Sequence, residues 1–380
     1  MTVTAGRDEL TLRILRDEVA WDATRPDWDA LHAACPGAAT ALSFAWLRTW
    51  WSVYGGEYGR DGLRILVAWR GGSLVAALPL YVGVASAARV RIRSLRFVST
   101  GEAEHEEVCP DYLDVLSRPG DGPEVAVEVW REIARETWDR IEWLDMPATS
   151  PLLHVAVLPA GSEVLSRGAC PVADLTDGFD AYLGRLSANG RQQARRLMRE
   201  GERAGARFEI AGEREVDGAF GDLRRLHQAR WAEDGKPGVF AAPRFVAFHR
   251  ELVRQWLPSG RAVLATLSLD GEPVAVLYGF VTAGTFDFYQ SGVRMDQGGP
   301  LRSPGNLAHL LLMQALSARG VTAYDFLRGA SAYKARLATR ERAIAGIRIW
   351  RSTPRAIAAR TVQAVARGFR GAARRRGGGA

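Results

Sequence analysis

The residues best suited to chemistry lie in one stretch of about fifty residues near the C-terminal end. Ser303-Pro304-Gly305 reads as a helix start. Serine is a good N-cap, and proline suits the first helical position, where its missing N–H is not needed. The next free N–H groups are those of Gly305 and Asn306, and glycine has no side chain to hold an anion away. Peptide dipoles concentrate partial positive charge there, so the position suits a phosphate. Upstream lie the apolar run TFDFYQSGV and a loop containing Gly298-Gly299. Downstream lie AYDFLRG and then Tyr333-Lys334. A strand, an anion-friendly helix start, a second strand and a tyrosine suggest a site for a phosphate-bearing acyl donor. The competing reading is a well-capped buried helix ending at Gly320.

Tyr289-Gln290-Ser291-Gly292, Ser303-Pro304-Gly305, Tyr324-Asp325-Phe326-Leu327-Arg328-Gly329 and Tyr333-Lys334 together resemble the GNAT acyltransferase superfamily. Within it, the likeness is to the CelD-type, or cellulose-biosynthesis-type, acetyltransferases. A weaker likeness continues upstream through Arg191 to Arg199, Leu226-His227 and Arg230-Trp231 to Phe240. The resemblance covers about residues 165–350. It implies acetyl-CoA or another acyl-CoA as donor, no metal, and a sugar or cell-envelope-related acceptor. The donor pyrophosphate is expected at Gly298-Gly299, Ser303, Gly305 and Asn306. Backbone N–H groups around Gln290 and Ser291 are expected to face the thioester oxygen. Tyr333 stands where such enzymes often place a general acid. Lys334 is expected to pair with donor phosphates or an acceptor carboxylate. Tyr333 read without the family is simply a core or rim aromatic.

Other residues admit two readings. In a continuous strand AYDFLRG, alternation puts Asp325 and Leu327 on one face and Phe326 and Arg328 on the other. Asp325 is then either a base or an anchor for Arg328 or a backbone N–H, and the anchor is preferred. His227 and Trp231 lie one helical turn apart and, with Tyr289 and Arg328, are expected to line the acceptor pocket. Arg191, Arg195 and Arg199 recur every four residues in a segment carrying six arginines and two glutamates. They suit an anionic acceptor, or else form a solvated face. No aromatic interleaving accompanies them, so no specific nucleic-acid partner is expected.

The elements that must position these groups read as a duplication. Residues 66–80 and 264–279 are both strand, glycine turn, strand, and Leu31-His32 and Leu226-His227 stand in similar helical settings. The expected architecture is α/β: two tandem GNAT-like domains, each a mixed central sheet flanked by helices. The tandem layout also resembles the Fem-type transferases, which implies as alternatives an aminoacyl-tRNA-dependent peptidyl transferase or a catalytically silent binding protein of the same fold. The divisions are 1–160, a degenerate copy serving as scaffold or acceptor wall; 166–351, the transferase domain; and 352–380, a tail. The boundary is expected near 158–172, which is rich in glycine, proline and small residues. The donor site is expected to be confined to the second copy, because the first lacks Ser-Pro-Gly. In the first copy, Asp145 is expected to matter for stability at most.

The chain has 380 residues, 47% of them hydrophobic, a globular composition. Cys35, Cys109 and Cys170 lie far apart and make no metal-ligand spacing. No apolar run approaches the roughly 20 residues of a membrane helix, and a charged N-terminal stretch argues against a signal peptide. A cytoplasmic protein is the expectation. Of 50 basic residues only Lys236 and Lys334 are lysine, so Lys334 departs from the chain's default cation. The net charge is +7, and residues 352–380 hold seven arginines and no acid. The remainder is therefore neutral. With Ala358, Val362, Val365 and Phe369 on one stripe, the tail is either a basic amphipathic helix for the inner face of an anionic membrane or a disordered end.

Overall fold

The computed structural model describes residues 9–60, 62–87, 90–294, 300–329 and 331–362. Its centre is one mixed sheet of 13 strands. The strands are β1 (Thr11–Leu15), β2 (Leu63–Arg70), β3 (Ser73–Ala87), β4 (Val90–Phe97), β5 (Leu116–Ser117), β6 (Arg140–Pro147) and β7 (Glu163–Asp174), then β8 (Arg207–Ile210), β9 (Ala262–Leu269), β10 (Glu272–Thr282), β11 (Thr285–Val293), β12 (Ala323–Asp325) and β13 (Arg340–Trp350). The helices are α1 (Glu18–Asp22), α2 (Arg25–Ala34), α3 (Phe44–Tyr58), α4 (Gly122–Arg135) and α5 (Phe179–Arg185), then α6 (Ala188–Arg203), α7 (Val216–Glu233), α8 (Pro243–Trp256), α9 (Pro304–Ser317) and α10 (Ala332–Leu337).

The path across the sheet is β1-β2-β3-β4-β6-β13-β7-β12-β11-β10-β9-β8, with β5 paired to β3. The duplication is visible in it. Each half has three antiparallel steps and then one parallel pair, β4 with β6 and β11 with β12. Each parallel pair is crossed over by a helix, α4 or α9, as parallel strands require. The two halves thus repeat one strand order.

Their last strands are exchanged. β7 follows β6 in the chain but pairs with β12, while β13 follows β12 but pairs with β6. β7 and β13 also pair with each other along Glu163 to Val172. The stretch 158–172, expected as a boundary, is thus mostly strand. Its small residues Gly168, Ala169 and Cys170 lie in the ladder with β13, and Cys170 is fully buried. One sheet therefore runs unbroken through both halves.

The apolar runs of β9 and β10 alternate between two cores. Leu264, Val276, Tyr278 and Phe280 face α7, α8 and the first half. Val263, Ala265, Ala275 and Leu277 face α6 and α9. Strands covered on both faces read as continuous hydrophobic runs, as these do. Pro354–Val362 is helical, with Ala356 and Ala359 buried against the body and Ile357 and Val362 exposed. The rest of the tail, including Val365 and Phe369, lies outside the described residues, as do Gly298 and Gly299.

Candidate active site

The parallel ladder between β11 and β12 holds only three residue pairs, ending at Asp287 and Asp325. Beyond that point the two strands part. Two local features cause this. A β-bulge makes Tyr289 an extra residue opposite Tyr278 and Gly279, which bends β11. Gly279 permits it, since a Cβ there would lie 2.2 Å from the Asp287 carbonyl oxygen. On the other strand, Leu327 takes a left-handed backbone conformation (φ 54°), which ends β12 after Asp325. The alternation expected through Leu327 and Arg328 therefore fails, because it assumed an extended chain.

The strands part onto a cavity of about 930 Å³ at their carboxyl ends. Ligands of open α/β sheets collect at such crevices. Of the sequence-derived candidates, the cavity is lined by His227, Trp231, Tyr289, Gln290, Arg328 and Lys334. It is also lined by residues of the first half that sequence reasoning left out of the site, among them Glu107, Cys109, Asp111 and Asp145. Confinement of the site to the second half is thus not what the cavity shows. The first half reaches in through residues 101–111, which are held firmly. Glu106 accepts from Tyr58 Oη at 2.6 Å and Arg244 Nη1 at 3.1 Å, and the Tyr289 hydroxyl donates to the Val108 carbonyl.

Arg328 is the hub of the site. Its backbone N–H donates to Asp111 Oδ2 at 2.8 Å, and its Nη1 donates to Asp145 Oδ2 at 2.6 Å. Asp145 Oδ1 takes Arg167 Nε at 3.2 Å. Asp325 does not anchor Arg328. It accepts from the Leu327 N–H and the Tyr112 hydroxyl, both at 2.8 Å. Burial raises its pKa. Asp145, expected to matter for stability at most, is one of two first-half aspartates paired with this arginine, the other being Asp111.

Lys334 lies across the end of β12. Its ammonium donates to the carbonyls of Phe326 at 2.7 Å and Arg328 at 2.9 Å and sits 5.9 Å from the Phe288 ring. Burial lowers its pKa, opposed by Asp111, Cys170 and Asp325. A lysine ammonium has three N–H groups, and the two carbonyls use two of them.

His227 is not set up as a base. Its Nε2 accepts the Trp231 indole N–H at 2.9 Å, which places the ring proton on Nδ1, beside Gln228 Oε1 at 3.1 Å. Burial lowers its pKa. The Cys109 thiol is pushed up to about 12 by burial, which leaves it un-ionised at neutral pH.

The remaining candidates gather on the other side of the sheet. Tyr333 stacks on His309 with ring centroids 5.4 Å apart and packs in the α6–α9 core. Burial pushes its hydroxyl up to about 12. Tyr333 and Asn306 share a narrow crevice with Gly190, Gln193 and Arg336. Ser303 occupies the N-cap position of α9, with Pro304 at the first turn, but its side chain makes no capping hydrogen bond. A Cβ on Gly305 would lie 3.3 Å from Val293. Ser291 is half-buried on β11. Arg191 donates to the Gly184 carbonyl, while Arg195 and Arg199 are exposed. Because α6 packs Ala194 and Leu197 in the same core as α9, these arginines stand apart from the cavity.

Residues 188–335 match the family described as an acetyltransferase (GNAT) domain. No curated protein matches the sequence. Several solved structures share the fold. One is the C-terminal domain of a putative lysylphosphatidylglycerol synthetase from Agrobacterium fabrum (14% identity over 89% of this chain and 95% of that one, TM-score 0.53). Another is FemX (12% identity over 81% and 88%, TM-score 0.54). A third is a conserved protein of unknown function from Bacteroides thetaiotaomicron (13% identity over 89% and 100%, TM-score 0.50). At such identities the likeness is one of fold. Among the described residues, no helix is long and apolar enough to cross a membrane.

Proposed function

We propose that this protein transfers an acyl group, from acetyl-CoA or another acyl-CoA, to an amine or hydroxyl of a small-molecule or glycan acceptor. The observation that carries this is the parting of β11 and β12 onto the cavity, inside the segment that matches the acetyltransferase family. The donor comes from the α6–α9 side. Its phosphates meet the N–H groups of Gly305 and Asn306 at the start of α9, whose first turn carries no acid. The acyl group reaches between Phe288 and Phe326. There the third N–H of Lys334 donates to the carbonyl oxygen as it becomes an oxyanion. The acceptor occupies the cavity, oriented by Trp231, Gln290 and Arg328. Tyr333, stacked and buried, serves as the wall behind the donor and not as the acid. The exposed arginines of α6 belong with the donor phosphates in this arrangement.

A second reading rests on that same helix. Arg195, Arg196, Arg199 and Arg203 are all exposed on α6, a row longer than one pyrophosphate requires. A transferase that takes its acyl group from charged tRNA would use such a row for the nucleic-acid backbone. Calorimetry separates the two. Titration with acetyl-CoA is expected to give saturable binding. No heat with acetyl-CoA, together with tight binding of charged tRNA, sinks the acyl-CoA reading in favour of the second.

A further inference from the structure

We propose that Asp111, contributed by the first half, is the group that takes the proton from the attacking amine or hydroxyl. This rests on the acyl-transfer reading above.

Four observations carry it. Asp111 lies in the cavity wall, and its side chain is only 2% exposed. Its Oδ2 is fixed by the Arg328 N–H, while its Oδ1 has an ion pair with Arg328 Nε at 3.1 Å but no hydrogen bond among the described residues. Its position is imposed by the chain on both sides, where Cys109 (φ 50°) and Tyr112 (φ 64°) take left-handed conformations. Such conformations in non-glycine residues persist only where the surroundings enforce them, and they gather at functional sites. Finally, the other buried carboxylates and the buried histidine near the cavity are committed, while Glu104, His105 and Glu107, which also line it, are exposed or only half-buried. Both oxygens of Asp145 hold arginines, Asp325 holds Leu327 and Tyr112, and Nε2 of His227 holds Trp231.

The charged and titratable groups around Asp111 are Arg328, Lys334 on α10, Asp145 on β6, Asp325 on β12, Asp287 on β11 and Cys170 on β7. Burial pushes its carboxyl up to about 7. A base is most effective when its pKa lies near the working pH.

The step balances without another reactant. The nucleophile gives its proton to Oδ1 as its new bond to the acyl carbon forms, and the carbonyl electron pair moves to oxygen beside Lys334. Collapse restores the carbonyl and breaks the carbon–sulfur bond, and the proton passes from Asp111 to the departing sulfur.

Release of coenzyme A from acetyl-CoA, with water as nucleophile, tests this without knowledge of the acceptor. Asp111→Asn is expected to slow release about 10²–10⁴-fold. Acetyl-CoA affinity should be unchanged, because Asp111 is on the acceptor side. Wild-type kcat/KM should rise with pH through an apparent pKa near 7, and that limb should vanish in Asp111→Asn. A rate within threefold of wild type, or an unchanged limb, overturns the proposal while leaving acyl transfer standing. A second measurement needs no turnover. In protein labelled with ¹³C at aspartate carboxyls, the resonance missing from Asp111→Asn should titrate far above the ordinary aspartate value. Titration near 4 overturns the proposal as well. Absence of both acetyl-CoA binding and release in wild type is a different result, since it removes the acyl-CoA reading itself.

Discussion

The two halves end their parallel pairs in opposite ways. In the first half, β4 and β6 pair at Ser94–Arg140 and Leu95–Ile141, and the space beyond is closed. The Trp143 indole donates to the Leu95 carbonyl at 3.1 Å, tying the two strands together. Its ring stacks on Trp130 of α4 and packs against Phe97. All three rings are buried. The helix start is closed as well. Asp121 and Glu124, both paired with Arg70, place carboxylates where α4 is most positive. In the second half the Lys334 ammonium lies across the end of β12, the rings of Phe288 and Phe326 border a cavity, and the first turn of α9 has no acid. Duplicating the fold did not duplicate the site. A few side chains decide whether the gap is a core or a cleft.

The largest expected effect breaks the closed side. Trp143→Ala should cost about 3–5 kcal/mol of stability, measured by denaturant unfolding, through loss of a buried ring and its strand-to-strand hydrogen bond. Folded protein should bind acetyl-CoA as before. Weakened donor binding with unchanged stability would mean that the first-half gap belongs to the site.

On the open side, Lys334→Met keeps length and apolar bulk while removing the ammonium. Loss of one oxyanion donor is worth about 10²–10³ in rate. The expected result is a fall in kcat of that size, with acetyl-CoA affinity nearly unchanged. A variant that loses donor affinity and not rate would make Lys334 a phosphate ligand, as the sequence first suggested.

The smallest effect concerns the helix beside the open gap. Arg195→Gln with Arg199→Gln removes two exposed charges and keeps helix propensity. Exposed charge pairs are worth about 0.2–1 kcal/mol each, so donor affinity should fall a few-fold at low salt and converge with wild type at high salt. A change in acceptor KM alone would return these arginines to the acceptor.

Much of this was legible in the residues. The strand–turn–strand repeats at 66–80 and 264–279 became equivalent hairpins because alternating apolar runs around a glycine turn have few other ways to pack. Tyr289, Gln290, Arg328 and Lys334 were placed together because they are close in sequence to two strands that must pair. The first-half acids were not legible as site residues. Asp111 meets Arg328 across 217 residues, and only exchanged strands and a tethered loop bring them within reach. One signal was present: residues 102–114 hold six acids in a chain otherwise rich in arginine. The assignment of Tyr333 assumed that the residue after the last strand looks into the cleft. Helix α10 begins at Ala332 and turns Tyr333 onto His309, leaving its neighbour Lys334 at the cavity.

By itself, then, the sequence determined the α/β class, the duplicated strand order and the start of α9 at Pro304. All of these follow from local periodicity and from proline's suitability for a first helical turn, which act over a few residues. The tertiary structure decided the exchange of β7 and β13, the entry of the first half into the site, and which of two adjacent side chains faces the cavity. Those depend on contacts between residues far apart in the chain. Their cost in chain entropy is met only by the whole packed sheet, so no local pattern records them.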